Sequence, residues 1–387
     1  MKNKIFFSIG LAALLLLLAF TGCNQGTTST SLLGSGGGLD NWKAVSSLYK
    51  DYFDFSSGEL QGINVGCAVA YGNGRFVIGA ETSDESSGPL FLNSTDGGLT
   101  WVPAQDPGQI QKESHTPAAW VLNWVETIGY GNGTFVAWVS GLGRVLTSTD
   151  GITWTEKRAA SGKYGGSDNI VYGNGIFFAN RPTPLSIKSY FLSKDNGESW
   201  DSTWANEDDP DFAGITRSTY GNGTFYGLSH CESNDTPDDL GYKVFTSADA
   251  ETWSPVTAEE SQYLGDTIVY GDGTLIAAKV EQTDPNNIYY LGPRTIVYSG
   301  DGGATWQDSD MEFTLGDEIV SMAYGNGCFV VVGENNSISK IWYSTDMGKT
   351  WQAVNEQFDG YINSIAYGDG AFIAVSENGM VYRASVK

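Results

Sequence analysis

The residues best suited to chemistry lie in a few irregular segments that mix acids with aromatic rings. The segment 103–124 carries His115, Trp120 and Trp124, and 180–189 carries Arg181. The segment 201–212 holds Trp204, Asp208, Asp209 and Asp211; 229–241 holds His230, Glu232, Asp235, Asp238 and Asp239; 281–294 holds Tyr289, Tyr290 and Arg294. Flat rings stack on sugar faces and carboxylates accept bonds from hydroxyls, so this mixture suits a surface that binds a glycan or a protein partner. Two of the carboxylates held about 5 to 10 Å apart would instead suit glycoside hydrolysis by paired acids. The acid clusters offer the hard oxygens that Ca²⁺ accepts, but neither has EF-hand spacing. His115 and His230 lack zinc-ligand spacing. No catalytic residue, metal or cofactor is therefore expected, Ca²⁺ being the one ion whose ligand chemistry is on offer.

These segments interrupt a repeat, and the repeat supplies the elements that must position them. Tyr-Gly-Asn-Gly or Tyr-Gly-Asp-Gly starts at Tyr71, Tyr130, Tyr172, Tyr220, Tyr270, Tyr324 and Tyr367, seven copies 42 to 59 residues apart. Each lies between two apolar runs, as Ser321-Met322-Ala323 and Phe329-Val330-Val331 do for the sixth. Asn-Gly or Asp-Gly so placed specifies a hairpin, because the turn that matches strand twist needs positive φ at its central residues.

A second motif follows six of the hairpins. It runs Ser94 to Trp101, Ser193 to Trp200, Ser299 to Trp306 and Ser344 to Trp351, with shorter forms at Ser148 to Trp154 and Ser247 to Trp253. Aspartate and serine bond nearby amides, glycine takes the left-handed conformation, and tryptophan buries a large ring. The motif resembles the Asp-box, or bacterial neuraminidase repeat. That resemblance implies a structural role for Asp96, Asp150, Asp195, Asp249, Asp301 and Asp346, and for Trp101, Trp154, Trp200, Trp253, Trp306 and Trp351.

The expected fold is all-β: a seven-bladed β-propeller of four-stranded blades over 40–387. The seventh unit ends after three strands, while Trp42-Lys43-Ala44-Val45 looks like Trp351-Gln352-Ala353-Val354. The N-terminal strand is thus expected to complete the last blade and close the ring, removing exposed edges. Propellers of this kind carry their hairpin turns and Asp-boxes on one face and ligand loops on the other. The repeats then read as scaffold and the irregular segments as the binding side.

The resemblance also raises an enzymatic alternative, a sialidase-like or glucanase-like glycoside hydrolase using loop carboxylates. The mature chain has only Arg75, Arg144, Arg158, Arg181, Arg217, Arg294 and Arg383, and lacks the N-terminal Arg-Ile-Pro signature of sialidases. In size, repeat number and Asp-boxes the chain is also similar to the photosystem II assembly factors of cyanobacteria, although their basic docking patch has no counterpart here. A binding or interaction platform ranks first, and enzymatic activity is not expected.

The N-terminus reads as an export signal. Lys2 and Lys4 precede an apolar stretch, 5–20, and Thr21-Gly22-Cys23 follows. The stretch is shorter than the roughly 20 residues of a spanning helix. Gly22-Cys23 resembles the lipobox of bacterial lipoproteins, which implies cleavage of 1–22 and acylation of Cys23. Residues 23–39, rich in Ser, Thr and Gly, then form a flexible tether. The expected location is the cell envelope outside the cytoplasm, at an outer membrane or cell surface, with the membrane engaged through the lipid. The net charge of −24, about −26 without Lys2 and Lys4, argues against nucleic acid as a partner. Beyond Cys23 only Cys67, Cys231 and Cys328 remain, too few for a disulfide framework.

Overall fold

The computed structural model describes residues 39, 41–48, 68–80, 90–104, 125–139, 144–158, 167, 169–180, 189–204, 214–230, 242–256, 264–282, 291–310, 318–335 and 338–386. The described residues all fall in one compact unit, Gly34–Lys387. The expected signal segment, Cys23 and the tether up to residue 38 lie outside the described residues.

The described chain is all-β. Strand β1 is Lys43–Ser47. A first repeat unit holds β2 to β5 (Ala68–Gly72, Arg75–Ala80, Leu90–Ser94, Val102–Pro103), and a second holds β6 to β9 (Val125–Gly131, Thr134–Val139, Arg144–Ser148, Thr155–Arg158). A third holds β10 to β13 (Asn169–Gly173, Ile176–Asn180, Ser189–Ser193, Asp201–Trp204). The fourth and fifth comprise β14 to β17 (Ile215–Gly221, Thr224–His230, Tyr242–Ser247, Ser254–Pro255) and β18 to β21 (Leu264–Gly271, Thr274–Gln282, Leu291–Ser299, Gln307–Asp308). The sixth contains β22 to β25 (Glu318–Gly325, Cys328–Asn335, Ile338–Ser344, Gln352–Ala353), and the last β26 to β28 (Ile362–Gly368, Ala371–Ser376, Met380–Ser385).

Units one, two, three and six are four-stranded antiparallel meanders. The last three strands gain β1 as their fourth, in the order β1-β28-β27-β26, with Lys43 opposite Arg383 and Ser47 opposite Met380. Units four and five join into one eight-stranded sheet through a single pair, Tyr242 with Leu264. The two-residue β17 pairs with Phe245 and Thr246 of β16, and Leu264 meets β16 at Tyr242, its other end.

The hairpin turns follow from their sequence. Asn73 and Gly74 have φ of 48° and 72°, and the other six turns repeat the pattern. The glycine before each turn has a different task, close approach. A Cβ on Gly72, Gly131, Gly173, Gly221, Gly271, Gly325 or Gly368 would lie 1.9 to 2.2 Å from the ring of Tyr130, Tyr172, Tyr220, Tyr270, Tyr324, Tyr367 or Tyr71 respectively. These contacts run from each unit to the next and return from the last to the first, a closed cycle of seven.

The core has the same arrangement. Among the described residues the buried apolar side chains group into seven clusters, each drawn from two successive units. One joins the last unit to the first, packing Ile373, Val375 and Val381 against Phe76, Ile78 and Trp101. The inner edges of the first strands are also covered. The Val69 amide donates to Ser364 Oγ (3.3 Å), Ile365 to Ser321 Oγ (3.3 Å), Tyr270 to Thr219 Oγ1 (3.1 Å) and Ser218 to Asn169 Oδ1 (3.2 Å). Small polar side chains thus satisfy backbone groups that a strand edge would otherwise leave unpaired.

Candidate functional site

The Asp-boxes contribute most of the carboxylates placed at repeated positions, and their geometry limits what they can do. In the first, Ser94 Oγ donates to Asp96 Oδ1 (2.8 Å), and the Leu99 and Thr100 amides donate to the same oxygen at 3.0 and 2.9 Å. Thr100 Oγ1 donates to Asp96 Oδ2 at 2.6 Å, and the Gly98 amide to Ser94 Oγ at 2.9 Å. Asp195, Asp301 and Asp346 repeat this network with Ser199, Thr305 and Thr350. The short boxes keep the amide bonds: Asp150 accepts from Ile152 and Thr153, and Asp249 from Glu251 and Thr252.

Burial alone would raise the pKa of Asp96, but bonds from the Thr100 side chain and amide, Ser94 and Leu99 outweigh it and hold the value at about 2. The other five are lowered too. At Asp249 the Thr252 and Glu251 amides dominate; at Asp150, Asp195, Asp301 and Asp346 hydrogen bonds again overcome burial. A carboxylate this acidic is ionised near neutral pH and cannot act there as a general acid. The boxes build turns.

Their tryptophans complete the joint. The indole N–H of Trp101, Trp200, Trp253, Trp306 and Trp351 donates to the carbonyl three residues earlier at 3.0 to 3.2 Å. Trp154 instead stacks on Phe91, ring centroids 3.8 Å apart, and its N–H has no partner among the described residues.

Sequence reasoning missed a set of clasps between units. Asn73 Nδ2 donates to Thr149 O (3.2 Å), Asn132 Nδ2 to Asn196 Oδ1 (2.7 Å), and Asn174 Nδ2 to Ala248 O (2.8 Å), each reaching the next unit's Asp-box. Tyr220 Oη donates back to Asn174 Oδ1 at 2.6 Å. The turn asparagine thus both sets φ and binds its neighbour, and only the first role shows in a hairpin motif. Arg383, from β28, donates to Gly97 O of the first box at 2.8 Å.

The opposite strand ends carry the residues singled out for ligand contact. Trp204 ends β13 opposite Ser189, His230 ends β15 opposite Tyr242, and Arg294 lies in β20 opposite Val280. All three are described through their backbone alone. They belong to units three, four and five, and His230 pairs with the residue that forms the seam of the eight-stranded sheet. His115, Trp120, Trp124, Arg181, Asp208, Asp209, Asp211, Glu232, Asp235, Tyr289 and Tyr290 lie outside the described residues. So do Cys67 and Cys231; Cys328 is buried, and burial pushes its thiol up to about 12. Among the described residues no group of three His, Cys, Asp or Glu is placed to hold a metal.

The BNR/Asp-box repeat family matches residues 342–353, the sixth box with its flanking strands. The fold is an all-β propeller, and the chain carries a BNR/Asp-box repeat at those residues. Solved propellers overlay most of it. The structure of YCF48 bound to D1 peptide covers 89% of this chain and 97% of its own at 13% identity, TM-score 0.55. Virginiamycin B lyase from Staphylococcus aureus covers 89% and 99% at 10% identity, TM-score 0.57. An ancestral GH74 enzyme matches 84% of this chain at 14% identity and TM-score 0.55, and the match spans 48% of the enzyme. No curated protein matches the sequence. At these identities the likeness is one of fold.

Proposed function

We propose that this propeller is a membrane-anchored, extracytoplasmic binding platform, tethered through an acylated Cys23 and presenting its loop-bearing strand ends to a protein partner or a glycan. The observation that carries the reading is the commitment of the turn face: all six box carboxylates are ionised and bonded within their own turns. Ligand chemistry is left to the opposite ends, where Trp204, His230 and Arg294 sit on neighbouring units. A propeller of the same fold has been solved with a bound peptide, which favours a protein partner.

The platform has seven blades in this reading. The closed cycle of seven Tyr–Gly contacts and the seven core clusters support that number, with the eight-stranded sheet counted as two blades fused at Tyr242 and Leu264. The second reading is a glycoside hydrolase, favoured by the likeness to a GH74 enzyme. It requires two loop carboxylates about 5 to 10 Å apart.

A glycan array and a fluorogenic glycoside panel, probed with the same purified protein, separate the readings. The platform predicts a discrete binder or silence on the array, and no turnover. Turnover abolished by Asp208→Asn, Asp209→Asn, Asp211→Asn or Glu232→Gln would overturn it in favour of the hydrolase.

A further inference from the structure

Asn-Gly occurs seven times in the sequence, always within the described residues. The amide nitrogen of such a glycine, unhindered by a Cβ, can attack the asparagine Cγ, so each pair is a place where the chain can modify itself. Asn73-Gly74, Asn132-Gly133, Asn174-Gly175, Asn222-Gly223 and Asn326-Gly327 form hairpin turns, Asn196-Gly197 lies in the third Asp-box, and Asn378-Gly379 connects β27 to β28. The backbone does not rank the hairpin sites, since their asparagines share φ of 45° to 50°. Their hydrogen bonds do.

Six of the pairs have one reacting group engaged. The carboxamides of Asn73, Asn132 and Asn174 donate to the next unit's box at 3.2, 2.7 and 2.8 Å. At three others the attacking amide is occupied: Gly197 N donates to Ser193 Oγ (2.8 Å), Gly379 N to Ser376 O (2.9 Å), and Gly327 N to the Tyr324 phenol oxygen. Asn222 and Gly223 are exposed, and no hydrogen bond among the described residues holds the Asn222 carboxamide or the Gly223 amide. The bond this pair does take, from Asn174 Nδ2 to Gly223 O at 2.9 Å, engages neither reacting group. Asn132 and Asn222 sit in the same hexapeptide, Tyr-Gly-Asn-Gly-Thr-Phe, so local sequence cannot separate them, whereas the clasp to Asn196 does.

We propose that Asn222-Gly223 is the site at which the folded chain deamidates. Gly223 N bonds to Asn222 Cγ, the Cγ–Nδ2 bond breaks, and ammonia leaves with the proton of the glycine amide. Water then opens the cyclic imide. Cleavage of the new bond gives aspartate, and cleavage of the original peptide bond leaves Gly223 attached through the side chain, as isoaspartate. No oxidant or reductant takes part. Aspartate suits the turn, since Asp272 and Asp369 hold the corresponding positions with φ of 45° and 44°. Isoaspartate adds a backbone carbon to a two-residue turn and cannot keep Gly221 opposite Thr224, so it opens the fourth hairpin and releases the bond from Asn174 to Gly223 O.

The test incubates the purified full chain, folded, in mildly alkaline buffer and locates conversion in its tryptic peptides by tandem mass spectrometry over a time series. Asn222 should convert about tenfold faster than Asn132, the factor that one guarding hydrogen bond is worth. Equal rates at these two identical hexapeptides, or faster conversion at any of the six guarded pairs, overturns the assignment. Asn196→Gly removes the acceptor of the Asn132 clasp and keeps the left-handed turn, glycine being the residue at the corresponding position 302 of the fifth box. In that variant Asn132 should rise to the rate of Asn222, while an unchanged Asn132 rate would overturn the clasp as the cause of the ranking.

Discussion

Asn41 and Ser385, 344 residues apart, are joined by two reciprocal hydrogen bonds between the asparagine amide and the serine backbone. The pair fastens the first strand to the end of the last sheet, where backbone groups of β28 would otherwise face solvent. Each bond contributes about 0.5 to 1.5 kcal/mol, so Asn41→Ala is expected to lower global stability by about 1 to 3 kcal/mol. Urea unfolding measures this, and hydrogen exchange should show the β1 amides opening before those of β27. Unchanged exchange along β1 would mean that the packing of Trp42, not the clasp, holds the closure.

Trp42 fills in the last sheet the place that box tryptophans fill elsewhere, and it meets Phe358 edge-on at 5.9 Å. No Asp-box precedes it, and its indole N–H has no partner among the described residues. Trp42→Ala should cost about 3 to 5 kcal/mol through the cavity it leaves. Trp42→Phe should cost about 1 kcal/mol less than Trp200→Phe, which breaks the bond to Gly197 O at 3.1 Å and leaves that carbonyl unpaired. Equal costs measured by thermal unfolding would show that ring volume alone decides.

The scaffold was legible because it rests on local rules that repeat. Asn-Gly specifies a turn wherever it falls between apolar runs, and Ser-x-Asp folds around its own amides, so neither needs tertiary information. The pairing of the N-terminal strand with the last three could be read because Trp42-Lys43-Ala44-Val45 copies Trp351-Gln352-Ala353-Val354. The Asn clasps were not legible: Asn132 meets Asn196 across 64 residues, and a hairpin motif carries no trace of that contact. The pairing of Tyr242 with Leu264 escaped for a similar reason, since it joins residues of two different repeat units. The binding side is the least legible. Its residues lie in segments that break the repeat, where neither periodicity nor turn chemistry constrains them.

The Tyr–Gly cycle makes a separate prediction. Gly131 has no room for a methyl group, because a Cβ there would sit 1.9 Å from Tyr172 Cγ. Gly131→Ala should destabilise by about 1 to 3 kcal/mol through forced displacement of the ring. Adding Tyr172→Ala removes the clash, so the double variant should be more stable than the two single costs summed would allow. Strict additivity in a double-mutant cycle would show that the glycine acts through its backbone rather than through the tyrosine.

The last prediction concerns acid. Asp96 titrates at about 2 in the folded chain against an ordinary value of 3.8, because Thr100, Ser94 and Leu99 bond its ionised form. A folded pKa below the unfolded one stabilises the protein fully above the unfolded value and progressively less as pH falls through the folded value. The contribution of Asp96 is therefore constant from neutral pH to about 5 and disappears between about 4 and about 2. Other acids obscure this in a raw stability curve, since protonating unpaired carboxylates relieves repulsion in a chain of net charge −24 and acts in the opposite sense. The difference between the parent and Asp96→Asn isolates the box. Thermal midpoints of the two should differ at pH 7 and at pH 5 by the same amount and converge as the pH approaches 2. A difference that persists at pH 2 would assign the effect to lost packing or geometry in the turn, not to the charge of the carboxylate.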